Sequence, residues 1–161
     1  MKKLKIYLDT SVISYLFNDE NLEKTQDTHK LWAQIKAGKY EAYISEVVMV
    51  EVGNSPEEIN TKQLRYLKEI EHTVIVVDEK TNAIADKFIE LGILKQKSYD
   101  DCQHIACAIV SGCDIIVSWN FKHIVNHKTI RGAKAITNLV GYDDIMIYSP
   151  TVLIGGEDND S

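Results

Sequence analysis

Short apolar runs alternate along this chain with longer segments of helical periodicity. Five of the short runs have the character of strands: residues 4–8, 40–44, 74–77, 114–118 and 145–148. Between them, apolar residues recur at helical spacing, notably over residues 21–36, 57–71, 83–94 and 130–139. Strands that alternate with helices predict a parallel sheet covered on both faces. The expected fold is therefore α/β, with three α/β/α layers around a central, mainly parallel sheet of four to five strands.

Length and composition predict one domain. The chain has 161 residues, of which 45% are hydrophobic, and this is sufficient for a full-sized core. Residues 1–150 are expected to form the domain. Residues 151–161 end in a polar run of glycine, acidic and amide residues, and this composition predicts a disordered tail.

The charge of the chain argues against a general nucleic-acid-binding surface. The formal net charge is −6, and only Arg65 and Arg131 among the 18 basic residues are arginines. The overall basic character of nucleic-acid-binding proteins is therefore absent. RNA binding would need a local group of lysines, for which Lys122 and Lys128 are candidates, and a metal ion that neutralises acidic side chains.

Two further features predict a cytoplasmic protein. No apolar run approaches the ~18 residues of a membrane span, and Asp9 interrupts the first apolar stretch too early for a signal peptide. The three cysteines, Cys102, Cys107 and Cys113, do not have the spacing of a zinc site. They are expected to be small core residues of a reduced protein.

Acidic and polar residues stand where the predicted strands and helices begin or end. Asp9 ends the first strand, and Asn120 lies just past the fourth. Ligands bind beyond the carboxyl ends of the strands in an open parallel sheet, so both residues reach one crevice if these strands are neighbours. Asp101 lies in the first turn of a helix, where the helix dipole stabilises a carboxylate. Glu51 lies nearly two turns into the helix that Ser45 begins, from which it can point inward.

Three carboxylates at one edge of the sheet would favour a divalent cation. Like charges about 4 Å apart repel by roughly 4 kcal/mol at an effective dielectric of 20, so such a cluster predicts a bound cation or raised pKa values. Mg²⁺ prefers oxygen ligands and can activate water against a phosphodiester. Each residue also has a structural alternative. Asp9 or Asp101 can cap a helix, Asn120 can stabilise a turn, and Glu51 can be a solvated helix residue.

Four segments resemble the motifs of a known family, the PIN-domain ribonucleases. Tyr7–Ile13 is similar to the opening motif of the family, and Ser45–Glu51 to the segment with its second acidic residue. Asp101–Ala106 is similar to the acidic start of a later helix, and Ile116–Phe121 to a strand-to-loop segment. The resemblance spans roughly residues 5–141, with the motifs in the expected order. Many relatives are VapC-type toxins, which are magnesium-dependent endoribonucleases held inactive by an antitoxin.

Carried over by position, the resemblance makes Asp9, Glu51 and Asp101 the catalytic carboxylates, which bind Mg²⁺ or Mn²⁺. Asn120 stands at a fourth metal-binding position, where the fuller pattern has an aspartate, and it offers a carbonyl oxygen but no charge. An activated water would attack phosphorus in line, without a covalent intermediate. The side chains expected to support this group are Ser11, Asp100, Ser118 and His104. A buried histidine with satisfied hydrogen bonds is the expected role of His104, rather than that of a ligand.

The resemblance also implies partners: an RNA substrate, an antitoxin protein and a second copy of the chain in a homodimer. The main alternative is a PIN-fold protein with weakened catalysis that binds RNA or a protein, favoured by Asn120 and the acidic composition. A phosphatase of the haloacid-dehalogenase type is disfavoured because it needs a second aspartate at the position of Ser11. A receiver-like signalling domain is disfavoured because an early acidic pair is missing.

Overall fold

The computed structural model of the chain describes residues 2–158. The strands in this range are β1 (Leu4–Leu8), β2 (Tyr40–Ser45), β3 (His72–Ile75), β4 (Ile115–Val117) and β5 (Met146–Tyr148). The α-helices are α1 (Thr10–Ser14), α2 (Leu22–Lys36), α3 (Glu46–Gly53), α4 (Glu57–Lys68), α5 (Glu79–Glu90), α6 (Tyr99–Val110), α7 (His127–Val140) and α8 (Pro150–Asp158). A short 3-10 turn, Gln96–Ser98, leads directly into α6.

The five strands form one parallel sheet in the order β3-β2-β1-β4-β5. β1 lies at the centre, and its last residue, Leu8, pairs with Val117 of β4. Because all the pairings are parallel, the carboxyl ends of the strands lie along one edge. The predicted α/β fold with a mainly parallel sheet is confirmed. The first and fourth strands are neighbours, which is the condition on which the predicted crevice depended.

Helices cover both faces of the central strands. Ile6, Tyr7 and Leu8 are consecutive in β1, so their side chains point alternately to the two faces, and all three are fully buried. Ile115 and Ile116 are buried in the same way in β4. Strands covered on both faces have continuous apolar runs rather than alternating ones. This burial confirms the predicted α/β/α layering.

Capping side chains fix the starts of two helices that matter for the site. Ser45 is the last residue of β2 and accepts a hydrogen bond from the Val47 N–H at 3.1 Å, so β2 passes into α3 without an intervening loop. Asn126 caps α7 by accepting from the Thr129 N–H at 2.9 Å. Such caps satisfy donors that the first helical turn leaves unpaired. The cap at Ser45 was predicted from the sequence.

The C-terminal segment differs from the expectation. Residues 150–158 form α8, whereas a disordered tail is expected from residue 151. Leu153 and Ile154 are buried, and α8 contacts α2 and β5, so these two apolar residues attach this segment to the domain. The rest of the predicted tail, residues 159–161, lies outside the described residues.

The third strand also differs from its predicted bounds. β3 covers His72–Ile75 rather than residues 74–77, and Val76 is exposed. β3 is an edge strand, where an apolar residue can continue past the paired region without being buried. The helix before it ends at Lys68 rather than at residue 71.

Two further findings concern the described residues. Between residues 2 and 158, no helix has the length and apolar character needed to cross a membrane. Cys102, Cys107 and Cys113 are free thiols and are buried, as predicted for small core residues.

Candidate active site

Asp9 lies directly after β1, at the centre of the carboxyl edge of the sheet. Its side chain is almost fully buried, with 4% exposed. Ser11 Oγ donates to Asp9 Oδ1 at 2.5 Å, and Ser118 Oγ donates to Oδ2 at 2.6 Å. Ser118 reaches Asp9 because β4 lies beside β1. Asp9 precedes α1, but its side chain makes no capping hydrogen bond, so the helix-capping alternative is wrong.

The environment of Asp9 disfavours its charged form. Burial raises the pKa of Asp9, while the charge of His104 and the hydrogen bonds from Ser11 and Ser118 oppose this rise. A buried carboxylate with a shifted pKa at the end of a strand is a functional candidate on physical grounds.

A chain of hydrogen bonds leads from the core to Glu51. The Tyr7 hydroxyl lies 2.7 Å from both Ser45 Oγ and His104 Nδ1, and His104 Nε2 lies 2.6 Å from Glu51 Oε1. Thr10 Oγ1 donates to the same carboxylate oxygen at 3.0 Å. His104 is 2% exposed, and both of its ring nitrogens have partners. It is thus a buried histidine that orients Glu51.

The pKa values of Glu51 and His104 shift in opposite directions. Burial by itself raises the pKa of Glu51, but the hydrogen bond and charge of His104 bring it below its usual value. Burial by itself lowers the pKa of His104, but the hydrogen bond to Glu51 and the charges of Asp9, Glu51 and Asp101 raise it. The pair therefore favours an ionised Glu51 that accepts the Nε2–H of His104.

Asp101 lies in the first turn of α6 and meets Asn120 from the loop after β4. Asn120 Nδ2 donates to Asp101 Oδ1 at 3.3 Å, and Asn120 Oδ1 accepts from the His123 N–H at 2.9 Å. In this arrangement the amide oxygen is occupied by the loop. Asn120 thus restrains Asp101, because its amide donor is attracted to the adjacent carboxylate. Its carbonyl oxygen has a second lone pair, and its role as a metal ligand stays a prediction.

The three predicted carboxylates influence one another. Burial raises the pKa of Asp101, the charges of His104 and His123 oppose this, and the charges of Asp9 and Glu51 raise it further. Hydrogen bonds link the same residues: Thr10, which follows Asp9, donates to Glu51. Ser118 donates to Asp9 and accepts from the N–H of Asn120, whose side chain donates to Asp101. We call the carboxylates of Asp9, Glu51 and Asp101 the acidic site.

The donor chemistry of the acidic site suits a hard divalent cation. Carboxylate oxygens are the ligands that Mg²⁺ prefers, and a cation would offset the repulsion among the three carboxylates. Across residues 2–158, however, no three histidine, cysteine, aspartate or glutamate side chains are arranged as a set of metal ligands. Both oxygens of Asp9 accept serine hydroxyls, with which a cation would compete.

Asp100 occupies a different position from its neighbour. It is exposed and lines a cavity of about 310 Å³ together with Glu46, Glu51 and Gln103. Asp101, rather than Asp100, shares the electrostatic environment of Asp9 and Glu51. This placement agrees with the register inferred from the sequence.

Three contributors to the site are not apparent from the sequence: Tyr7, Thr10 and His123. Thr10 directly follows Asp9, and that position was the only available signal. Tyr7 has the pattern of a core strand residue, and its hydroxyl finds His104 only when α6 packs against the sheet. His123 lies in a loop without a distinctive motif.

Comparison with solved structures shows the same fold in toxin complexes and toxins. The structure of VapBC2 from Rickettsia felis, bound to a DNA fragment from its promoter, has a TM-score of 0.59 and 15% sequence identity, covering 91% of this chain and 98% of that chain. VapC20 from Mycobacterium tuberculosis, described as a toxin that cleaves the sarcin-ricin loop, has a TM-score of 0.56 and 14% identity, covering 88% and 98%. At such identities the likeness establishes the fold.

Comparison of the sequence identifies the family. A search of curated proteins gives no match. The family model described as the PIN domain matches residues 6–124, which include Asp9, Glu51, Asp101 and Asn120. This range covers most of the chain and both strands that flank the acidic site. The chain therefore belongs to the PIN domain family.

Proposed function

We propose that this protein is a metal-dependent endoribonuclease that hydrolyses RNA phosphodiester bonds, and that it is the toxin of a toxin–antitoxin pair. The observation that supports the proposal is the set of hydrogen bonds that link Asp9, Glu51 and Asp101 through their neighbours at the carboxyl edge of a PIN-domain sheet. The description of VapC20 as a toxin that cleaves the sarcin-ricin loop supports RNA as the substrate class.

Asp9, Glu51 and Asp101 would hold the metal, with Mg²⁺ or Mn²⁺ as the ion. A divalent ion bound there lowers the pKa of water and offsets negative charge on the phosphate. The protein contributes carboxylates that hydrogen bonds orient before substrate arrives, and such preorganisation is a usual source of catalytic advantage.

The neighbouring side chains maintain that orientation. Ser11 and Ser118 fix the two oxygens of Asp9, and His104 holds Glu51 in its charged form. Asn120 restrains Asp101 without adding charge. Substitution of such supporting residues around a metal site typically reduces activity about 10- to 100-fold.

We further propose that the protein works in the cytoplasm, as a homodimer that an antitoxin inhibits. Size-exclusion chromatography with light scattering tests the dimer, and co-expression with the product of the neighbouring gene tests the antitoxin. An antitoxin should restore growth of cells that express the toxin and should co-purify with it.

RNA cleavage tests the proposed function directly. A panel of structured and single-stranded RNAs is incubated with the wild type in Mg²⁺, Mn²⁺ or EDTA, and products are separated by gel electrophoresis. We expect cleavage with either metal and none with EDTA. Asp9→Asn, Glu51→Gln and Asp101→Asn should each reduce the rate by at least about 100-fold, since ligands matter no less than the residues that support them.

Asp143→Asn is a matched control for these variants. Asp143 is exposed and lies shortly before β5, so it stands at the amino ends of the strands, away from the acidic site. This variant should cleave at the wild-type rate. Full cleavage by all three site variants would refute the assignment, because the activity would then come from elsewhere.

One observation favours a second candidate, a PIN-domain protein that binds RNA or a protein without efficient cleavage. Asn120 stands where the fuller pattern has an aspartate, so the site has one negative charge and one carboxylate oxygen fewer, and its remaining side-chain oxygen accepts the His123 N–H. Asn120→Asp distinguishes the candidates. If the wild type binds RNA but cuts it only after this substitution, the binding role is correct.

A further inference from the structure

A second cavity, of about 250 Å³, is lined on several sides by cationic side chains. Lys95 and Lys97 come from the connection before α6, Lys122 from the loop after β4, and Lys128 from the first turn of α7. His123 also lines it, and none of the described residues that line it is an aspartate or a glutamate. We call this the lysine cavity. It gathers lysines from three separate segments of the chain.

The lysine cavity stands out against the acidic character of the whole protein. The chain has a formal net charge of −6, yet these four lysines are exposed and make no ion pair with any side chain of residues 2–155. Like charges that share one concave surface repel one another and concentrate anions from solution. An anionic ligand would relieve this repulsion.

The first turn of α7 adds to the positive potential. The lysine cavity is lined by Asn126, which caps α7, and by Thr129, whose N–H donates to the Asn126 side chain. α7 has 14 residues, so its amino end carries a helix dipole with the positive end at this position. Backbone and side chains therefore favour the same sign of ligand charge.

One loop connects the lysine cavity to the acidic site. His123 lines the cavity, its N–H donates to Asn120 Oδ1, and Asn120 Nδ2 donates to Asp101. The charge of His123 also acts on Asp101. Only one residue, Asn120, separates the wall of the cavity from a carboxylate of the acidic site.

We propose that the lysine cavity binds the phosphate backbone of the RNA strand next to the bond that is cleaved. This inference rests on the proposed function and assigns the part of the protein that holds its substrate. A lysine ammonium is a compact charge that contacts phosphate oxygens whatever the base. The acidic site repels RNA, so an adjacent cationic surface is needed to keep the strand in place.

An acidic polypeptide is the other anion that such a surface can attract. The direct connection to Asp101 favours RNA, because a strand whose scissile phosphate lies at the acidic site must continue past it. A cavity of about 250 Å³ is also below the roughly 300–1,000 Å³ of pockets that enclose whole ligands, and this suits one phosphate group of a longer chain.

The test is RNA binding as a function of salt. A fluorescein-labelled single-stranded RNA of mixed sequence is titrated by fluorescence anisotropy with protein that carries Asp9→Asn, in Mg²⁺, so that the strand stays intact. Lys122→Gln and Lys128→Gln are then added together. Each phosphate contact contributes about 0.7 to the slope of log K against log[salt] for single strands. We expect the slope to fall by about 1.4 and the affinity to fall on the order of 10-fold at low salt.

The matched control is the pair Lys2→Gln and Lys68→Gln in the same background. These exposed lysines precede β1 and β3, at the opposite edge of the sheet, and they change the net charge by the same amount. The proposal holds if only the first pair reduces the slope. Equal effects of both pairs, or no effect of either, would overturn it, because binding would then follow net charge or another surface.

Two further arms separate the alternatives. Poly-glutamate is titrated against the same variants, and a loss of poly-glutamate binding with unchanged RNA binding would assign the cavity to an acidic polypeptide and overturn the proposal. Metal-dependent RNA cleavage that the Lys122 and Lys128 substitutions leave unaltered would overturn this inference alone and leave the proposed function intact. No binding and no cleavage of RNA by the wild type would overturn both.

Discussion

At the scale of single residues, two serine hydroxyls and one histidine orient the carboxylates of Asp9 and Glu51 and oppose the effect of burial on their pKa values. Two serine hydroxyls bond Asp9, and His104 bonds Glu51. Burial opposes ionisation, and these hydrogen bonds counteract it. The result is a partly buried group of carboxylates whose mutual repulsion is unfavourable without a cation and would be offset by a bound one.

The buried hydroxyl group of Tyr7 provides the first test of these hydrogen bonds. Tyr7→Phe removes the partner of Ser45 and of His104 Nδ1, and leaves these buried groups with unmet hydrogen bonds. We expect the free energy of unfolding, measured with urea, to decrease by roughly 1–3 kcal/mol. RNA cleavage should decrease as well, because His104 is then free to move away from Glu51.

Tyr43→Phe is the control for this substitution. Tyr43 pairs with Tyr7 across β1 and β2, but its hydroxyl donates to Glu41 at the surface. Its loss should change the unfolding free energy by no more than about 0.5 kcal/mol. Equal stability of the two variants would show that the Tyr7 hydroxyl contributes nothing.

The cysteines provide a second test at this scale. Burial raises the pKa of Cys102 and Cys113 to about 12 and that of Cys107 to about 11. Because the thiolate is the reactive form, we expect iodoacetamide at about pH 8 to leave all three unmodified in the native protein. Mass spectrometry should find all three labelled after unfolding in urea. Rapid labelling of any cysteine in the native protein would contradict its burial.

At the scale of elements, local signals account for where most helices and strands begin, and packing accounts for the exceptions. Ser45 and Asn21 cap α3 and α2 through their side chains, and both starts follow from the sequence. α8 does not, because its polar end suggests a tail, whereas Leu153 and Ile154 become buried only through contact with the remaining fold. A short apolar run has no preferred secondary structure until it packs against an apolar surface of the domain.

The contact between α7 and the segment after α5 is sensitive to one methyl group. A Cβ on Gly132 would lie 2.5 Å from Ile93 Cδ1 and 2.7 Å from two further Ile93 carbons, so the whole Ile93 side chain would have to move. We expect Gly132→Ala to decrease the unfolding free energy by about 1–3 kcal/mol, as for other overpacked sites. Differential scanning calorimetry measures the change.

Gly53→Ala has the opposite expected sign. Gly53 is the last residue of α3, and apart from the adjacent residues and the backbone of its own helix, no described atom lies within 4 Å of a Cβ placed there. Alanine should leave stability unchanged or increase it by up to about 1 kcal/mol, through its better helix propensity and the smaller entropy of the unfolded chain. Loss of stability in both variants would mean that Ile93 is not the cause of the effect at Gly132.

At the scale of the whole molecule, the two signs of charge are separated. Carboxylates meet at the centre of the carboxyl edge, and four lysines from distant segments share a cavity beside them. The net charge of −6 conceals this arrangement. Average charge therefore describes the protein poorly, since a substrate encounters the local field rather than the average.

Divalent cations should stabilise the molecule through the acidic site. At a free Mg²⁺ concentration about ten times its dissociation constant, a ligand of the native state adds about 1.4 kcal/mol. This corresponds to a rise in Tm of roughly 3–6 °C for a chain of this size. Thermal unfolding with Mg²⁺ or EDTA measures the effect.

Asp9→Asn should abolish the Mg²⁺ response and be at least as stable as the wild type in EDTA. The substitution removes a charge that burial makes unfavourable, so catalytic capacity and stability are expected to oppose each other here. Asp143→Asn should respond to Mg²⁺ like the wild type. A wild type that does not respond to Mg²⁺ would exclude a metal at the acidic site, whatever the activity.

Local patterns in the sequence were sufficient for much of this description. Hydrophobic periodicity indicated the alternation of strands and helices, and the ends of strands indicated Asp9 and the loop of Asn120. These properties depend on residues close together in the chain, so they can be predicted without knowledge of the fold. The choice of Asp101 over Asp100, made on register, stays a prediction, and the hydrogen bond from Asn120 to Asp101 supports it.

Only the tertiary structure decided how these parts meet. It placed β4 beside β1, which brings Ser118 to Asp9, and packed α6 so that His104 links Tyr7 to Glu51. It also turned the Asn120 oxygen toward the loop and gathered the lysine cavity from three segments. The sequence by itself determined the elements and the residues at their ends, because these follow from local geometry and capping. Contacts between residues far apart in the chain depend instead on which buried surfaces fit together. Local sequence patterns do not specify this packing.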